Sequence, residues 1–278
     1  MSLRVAAAQL SVSSAPADNL VRAKSLIGDA VGQGAKFVAL PECFTGKYGV
    51  ERFRQHREAL FEPARGLQGL SSSSLDAKSE FISGSHMMSS MASRHGIWVT
   101  GGVIEESEGG QLYNSIPIYA PDGRLHATYR KVHLSRVMGI TSESDLLTSG
   151  TDTVSFVTGG AGVAGGGGGG GGGGFTVGMA CCFDLRFPAW LARYGPRVRA
   201  PADLLCAPSA FLEVTGWAHW DFLVRRAALD GQAFVVAPNV AWSPEDAAGA
   251  PLHGRSAVVD PFGRVLEQCG PEGDDLAV

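Results

Sequence analysis

The sequence predicts a layered α/β fold in one domain, and two observations carry that reading. Short apolar runs that fit buried strands alternate along the chain with stretches whose apolar residues recur at helical spacing. The 278 residues, 45% apolar and 18% charged, are also enough to bury one large core.

The elements follow in order. Arg4 to Gln9 reads as a buried strand. Leu20, Ala23, Ile27, Ala30 and Val31 then recur at helical spacing up to a stop at Gly34, and Phe37 to Leu40 is the next apolar run. A second helix carries Met87, Met88 and Met91, read as core filler, and ends near His95-Gly96. Ile97 to Ile104 follows as one strand. Leu112 to Tyr119 and Arg124 to Tyr129 flank Pro121-Asp122-Gly123, a turn signal that predicts a hairpin. Beyond it come strands at Thr176 to Ala180, Asp203 to Ala207, Ala233 to Ala237 and Ser256 to Asp260. Helical patterns at Pro188 to Tyr194 and His219 to Asp230 lie between them.

Charge and composition exclude several classes. A net charge of −4 offers no basic surface for nucleic acid. No run of about 18 apolar residues spans a bilayer, so no membrane association is expected. Met1 to Leu10 has one Arg and too short an apolar stretch for a secretory leader. The five cysteines are odd in number and lack C-x-x-C spacing, which predicts a reducing, cytoplasmic setting and no zinc or other metal. Gly165 to Gly174 is a tract of ten glycines that leads into a strand instead of a helix, so a dinucleotide site fails on context. Residues 159–174 are therefore expected to be a low-complexity surface loop without chemistry, and Ser71 to Ser74 reads the same way.

Three strand ends offer reactive groups. Glu42, in Leu40-Pro-Glu-Cys-Phe44, lies just past a buried run that Pro41 halts, a position that hosts active sites in α/β folds. Lys131, in Tyr129-Arg-Lys-Val-His-Leu134, ends a second strand. Cys182 ends a third, in Phe175-Thr-Val-Gly-Met-Ala-Cys-Cys-Phe-Asp-Leu-Arg-Phe187, where a helix start and a nearby Lys would hold a thiolate near neutral pH. Bland readings stand beside these: a helix-capping Glu42, a solvated Lys131 within the Arg130, Lys131, His133 cluster, and an inert core cysteine.

Taken together, the three segments resemble the nitrilase superfamily, the carbon-nitrogen hydrolases, whose Glu, Lys and Cys fall in this order and in these local contexts. The resemblance implies a four-layer α-β-β-α sandwich spanning residues 1–278 as a single domain. It implies Glu42 as general base, Lys131 as stabiliser of a tetrahedral intermediate, and Cys182 as the nucleophile that forms a thioester. Cys182 is preferred to Cys181 because the family's nucleophile directly precedes an aromatic residue and Asp, here Phe183-Asp184, which leaves Cys181 in an apolar slot. Glu143, in Ile140-Thr-Ser-Glu-Ser144, is the candidate for the family's second glutamate. The backbone N–H of Phe183 would help hold the oxyanion.

Within the superfamily the omega-amidase branch is most similar, through Asp18-Asn19, Gln33 to Lys36, Tyr48-Gly49, Leu112-Tyr-Asn114, Thr215-Gly216, Ala218-His-Trp220 and Val258 to Gly263. That branch implies short dicarboxylate monoamides such as alpha-ketoglutaramate and alpha-ketosuccinamate as substrates, with Arg186 and Tyr48 gripping the distal acid. It implies no organic cofactor and a homodimer that packs helical layers together. Arg186 has a second reading, as an ion-pair partner of Asp184 or Glu42. His219 and Trp220 are expected to open a helix as structural support.

Two departures stand out. Ala227 and Gly231 occupy places where relatives carry Arg and Asn, with Arg225 or Arg226 as the candidates to compensate. The chain also stops at Asp274-Asp-Leu-Ala-Val278, where relatives continue, which reads as a truncated C-terminus. The rival functions are an amidase for deaminated glutathione, suggested by Pro208-Ser-Ala-Phe211, a Cys/His hydrolase using His133 or His219, and a catalytically impaired binding protein.

Overall fold

The computed structural model describes residues 2–63, 83–137, 141–159, 174–242 and 251–278. The loop 159–174 lies outside the described residues except at its two ends, and Ser71 to Ser74 lies outside them altogether.

β1 (Val5–Ser11) is buried on both faces, and its Ala-rich composition lets covering layers approach closely. α1 (Pro16–Gly32) opens with Pro at its start, where no N–H is missed, and turns Leu20, Ala23, Ile27 and Ala30 inward. β2 (Phe37–Ala39), α2 (Val50–Phe53) and β3 (Arg57–Glu58) follow. α3 (Gly84–His95) starts where the Ser83 side chain accepts from the His86 N–H, and ends at Gly96 with φ of 61°. Met87, Met88 and Met91 fill the core behind it.

The run read as one strand from Ile97 is two: β4 (Trp98–Thr100) and β5 (Val103–Glu106), broken at Gly101-Gly102. β6 (Leu112–Tyr119) and β7 (Leu125–Arg130) form the expected hairpin, with Gly123 at φ of 82° in its turn. β8 (Arg136–Val137) pairs with β9 (Thr141–Ser142). The second half runs β10 (Ser155–Val157), β11 (Thr176–Met179), α4 (Pro188–Leu191) and β12 (Leu204–Cys206). It continues through α5 (Glu213–Gly231), β13 (Phe234–Ala237), β14 (Val240–Ala241), β15 (Ala257–Val259), β16 (Val265–Gln268) and β17 (Asp275–Ala277).

Among the described residues the strands build a nine-stranded sheet, ordered β14-β1-β2-β4-β6-β5-β3 with β17 on β1 and β7 on β6, and a six-stranded sheet, ordered β10-β11-β12-β13-β15-β16. Their centres are parallel: Val5 pairs with Phe37 and Phe37 with Trp98 in the first, Val177 with Leu204 and Leu204 with Phe234 in the second. Parallel centres need cover on both faces, and the side chains show what covers them. Ala6, Ala8, Leu10 and Val38 pack with the inner residues of α1 and α3. Their strand neighbours Ala7, Phe37 and Ala39 point the other way, with Ile116 and Ile118, onto Val177, Met179, Leu204 and Val236 of the second sheet. Leu223, Val224 and Ala228 of α5 close the far side. The result is a four-layer α-β-β-α sandwich, as the family resemblance implies.

One detail differs from the sequence reading, and two more concern segments that it singled out. α5 begins six residues before His219, so His219 and Trp220 lie in its second turn, and Trp220 is fully buried with its N–H donated to the Arg255 carbonyl. The last residues form a strand: Ala277 pairs with Ala7 and Asp275 with Gln9, while Asp274 accepts from the Ser11 N–H and pairs with Arg22. At the departures, Ala227 is core, and Arg226 donates to the Leu185 carbonyl. Arg225 donates to the Gly263 carbonyl. No described helix is long and apolar enough to cross a membrane.

Candidate active site

The reactive groups meet where the strands of both sheets end. After β2 the chain turns at Pro41, and Cys43 adopts φ of 51°, a left-handed conformation that costs a non-glycine residue about 1–2 kcal/mol. Gly102 makes the turn possible, because a Cβ there would lie 2.6 Å from the Glu42 Cα and 2.7 Å from the Cys43 nitrogen. The Gly101-Gly102 break between β4 and β5 is therefore what seats Glu42. The Gly102 N–H donates to the Pro41 carbonyl, and the Phe44 N–H to the Gly102 carbonyl.

Lys131 follows β7 and is fully buried, which removes its solvated reading. Its ammonium stands 2.7 Å from Glu42 Oε1 and 2.9 Å from Glu143 Oε2. Both carboxylates are themselves fully buried. Asn114 on β6 ties them together, donating to Glu42 Oε1 at 2.7 Å and to Glu143 Oε1 at 3.0 Å. Glu143 also accepts from the Ser135 N–H at 2.6 Å. Burial opposes the Glu143 charge, but Lys131 and these hydrogen bonds outweigh it and hold its carboxyl below the usual range. Burial likewise opposes the Lys131 charge, and Glu143 and Glu42 reverse that, lifting its pKa well above the ordinary lysine value. The charged cluster is one ammonium between two carboxylates.

Cys182 lies just past β11 with φ of 45°, held in that strained state by neighbours. Its N–H donates to the Pro208 carbonyl. Asp184, two residues on and fully buried, accepts from the Cys181 N–H at 2.9 Å, the Tyr129 hydroxyl at 2.6 Å and the His133 N–H at 2.9 Å. One carboxylate thus fastens the cysteine turn to the Lys131 strand. The helix start expected after Cys182 is a single 3-10 turn, Cys182–Arg186, leading into α4.

The expectation of a resting thiolate does not hold. Burial pushes the Cys182 thiol well above its ordinary pKa, Glu42 adds to the rise, and Lys131 offsets only part of it. The ammonium that would favour a thiolate already serves two carboxylates, so the cluster's net negative charge opposes another anion. Cys181 does more than fill an apolar slot: its thiol lies 3.4 Å from Glu42 Oε1. Oε1 therefore faces the Lys131, Asn114 and Cys181 donors, whereas Glu42 Oε2 is buried without a hydrogen-bond partner among the described residues.

The residues expected to hold substrate surround this centre unevenly. Tyr48 shares a 2.7 Å hydrogen bond with the Ser135 hydroxyl, and burial, then Glu143, raises its phenol. Phe183 is half-buried beside Arg186, whose guanidinium carbon stands 5.4 Å from the Phe183 ring centroid and 5.3 Å from that of Phe211. Arg186 pairs with neither Asp184 nor Glu42. Its Nη1 meets His219 Nδ1 at 3.0 Å, and its buried Nε has no hydrogen-bond partner among the described residues. Burial lowers the Arg186 pKa, and the charge of Cys182 works against that, which marks the two as neighbours.

Sequence reasoning missed Asn114, Ser135, Asp184 and Gly102 as parts of the site. The available signal was a polar residue at a strand position that the flanking apolar pattern would bury, as with Asn114 in Leu112 to Tyr119.

Residues 4–278 match the family model described as carbon-nitrogen hydrolase. The chain is 35% identical over 273 residues to the omega-amidase NIT2 of Danio rerio, covering 97% of this chain and 84% of that one. It is 35% identical over 275 residues to the omega-amidase NIT2 of Homo sapiens, covering 98% and 86%. In three dimensions it is similar to Nit3 of Saccharomyces cerevisiae, a member of branch 10 of the nitrilase superfamily. That match has a TM-score of 0.75 at 28% identity and covers 99% of this chain and 89% of the other.

Proposed function

The chain belongs to the carbon-nitrogen hydrolase family and acts on amides, and from that premise we propose that it cleaves the terminal amide of short dicarboxylate monoamides through a Cys182 thioester. The observation that carries this reading is the buried Glu42, Lys131, Glu143 cluster facing Cys182. The similar omega-amidases support the substrate class.

In the proposed mechanism Glu42 Oε2, the oxygen without a partner, takes the Cys182 proton as sulfur attacks the amide carbon. The proton moves within the cluster, so its net charge is unchanged until the carbonyl oxygen becomes an oxyanion. Lys131 has three N–H donors, two of them used by Glu42 and Glu143, and the third meets that oxyanion together with the Phe183 N–H. Collapse breaks the C–N bond, Glu42 returns the proton to the nitrogen, and ammonia leaves a thioester. Water then gives its proton to Glu42 and attacks the thioester, and a second collapse releases the acid and the Cys182 thiol. Ammonia release across a panel of omega-monoamides tests the substrate class. Equal turnover of alpha-ketoglutaramate and a neutral amide of the same length would refute it.

Arg186 and Tyr48 hold the distal carboxylate in this reading, with the Arg186 Nε gaining its missing partner. Each charge-assisted hydrogen bond contributes about 1.5–3 kcal/mol. Arg186→Met is therefore expected to lower kcat/KM for alpha-ketoglutaramate by roughly tenfold to a hundredfold, with a much smaller loss for a neutral amide. Equal losses would make Arg186 a structural partner of His219.

A homodimer through the outer helical layer completes the proposal. Phe222 and Leu229, seven residues apart on one face of α5, are 64% and 52% exposed, and Phe262 nearby is 77% exposed. Light scattering after gel filtration is expected to give a dimer, and Phe222→Glu with Leu229→Glu a monomer. A monomeric wild type would exclude this part of the proposal.

A further inference from the structure

Arg186 is a half-buried cation near Cys182, and among the described residues no carboxylate pairs with it. Its polar contact is with His219, Nη1 standing 3.0 Å from Nδ1. A guanidinium carries only N–H donors, so Nδ1 is the acceptor. The imidazole is therefore neutral in this contact, with its proton on Nε2. That neutrality decides what Arg186 can do. An aspartate or glutamate in the place of His219 would compete with an incoming anion for the same charge, whereas an imidazole fixes the guanidinium and leaves its charge uncompensated.

The contact also selects which edge of the guanidinium stays open. A carboxylate can meet an arginine through two parallel N–H groups, either those of Nη1 and Nη2 or those of Nε and Nη2. His219 takes Nη1, which leaves the second edge, and Nε on that edge is buried without a hydrogen-bond partner among the described residues. The elements that carry this arrangement are anchored. Phe211, whose ring centroid lies 5.3 Å from the guanidinium carbon, donates its N–H to Asn239 Oδ1 at 3.0 Å and packs on Trp220 with ring centroids 5.0 Å apart. Trp220 is fully buried and donates to the Arg255 carbonyl. The buried tryptophan fixes how α5 is turned about its axis, and so holds its exposed neighbour His219 at Arg186.

We propose that His219 is a positioning residue for substrate selectivity: its neutral imidazole holds Arg186 by Nη1 so that the Nε–Nη2 edge receives the distal carboxylate of the amide. This role rests on the dicarboxylate substrates proposed above, and His219 fills it through Arg186 without touching substrate.

Steady-state kinetics with alpha-ketoglutaramate and with pentanamide, a neutral amide of the same length, test it. His219→Ala removes the acceptor at an exposed helix position, where the fold is expected to survive. It is expected to raise KM for alpha-ketoglutaramate by roughly threefold to tenfold while kcat stays within about twofold of wild type. Its kcat/KM for pentanamide is expected to stay within about twofold as well. His219→Asn, whose side-chain oxygen can stand where Nδ1 stands, is expected to bring KM back to within about twofold of wild type. In an Arg186→Met background His219→Ala is expected to cost nothing further, because both changes act on the same carboxylate contact. An unchanged KM in His219→Ala, equal losses on both amides, no recovery in His219→Asn, or a full second loss in the Arg186→Met background would each overturn the role of His219. A wild type that turns over both amides equally would refute the substrate class, and the role of His219 with it.

Discussion

Cys182→Ala is expected to abolish amide turnover, lowering the rate by roughly six orders of magnitude or more, while Cys181→Ala stays within about tenfold of wild type. The two thiols are neighbours in sequence and both lie near Glu42, so the backbone decides between them. Cys182 holds the left-handed conformation just past β11 and is 8% exposed, whereas Cys181 is extended and fully buried. Cys181 faces Oε1, the oxygen already occupied by Lys131 and Asn114. Losing it removes one weak S–H donor from the base and leaves the attacking group in place. Mass spectrometry of the acyl-enzyme formed with alpha-ketoglutaramate is expected to map the adduct to Cys182. An adduct on Cys181, or a Cys182→Ala protein that still turns over, would overturn the assignment.

Glu42, Lys131 and Cys182 were visible in the sequence for a shared reason. Each follows a run that reads as a strand, apolar before Glu42 and Cys182 and one arm of a hairpin before Lys131, and strand ends in such sheets converge in space. α1 and α3 were visible because their apolar residues keep helical spacing between clear stops at Gly34 and Gly96. What stayed hidden depends on contacts between segments far apart in the chain. β3, β8, β9, β14 and β17 span two or three residues, too few to show a period. The Gly101-Gly102 break looks like the middle of a strand until Glu42 is seen packed against it. Arg186 offered two acidic partners in the sequence, and the fold gives it His219 from a helix that starts earlier than its pattern suggested.

The protonation state of Cys182 was hidden for the same reason. A lysine near a cysteine reads as a thiolate stabiliser when the two are considered alone. The fold adds two buried carboxylates that take up the ammonium, and the sign of the effect on the thiol reverses. In the proposed mechanism the thiol therefore needs a base at the moment of attack, which would transfer the burden of activation from Lys131 to Glu42.

Glu42→Gln measures that burden. Gln keeps the length of the side chain and its carbonyl oxygen can still accept from Lys131 and Asn114, so the fold around β2 and Gly102 is expected to survive. The change removes the free carboxylate oxygen that would take the Cys182 proton, and it replaces a buried anion that Lys131 now faces with a neutral amide. Loss of a positioned general base costs roughly 2 to 4 orders of magnitude, and that fall in kcat/KM for alpha-ketoglutaramate is the expected result. The same substitution leaves Lys131 with Glu143 as its remaining charged partner, which weakens the opposition to a thiolate. Thiol alkylation of Cys182 by iodoacetamide is thus expected to extend to lower pH in Glu42→Gln, even as amide turnover collapses. Turnover within tenfold of wild type would remove Glu42 from the chemistry. A collapse in turnover with an unchanged alkylation profile would instead leave Glu42 as the base and refute the account of why the resting thiol is protonated.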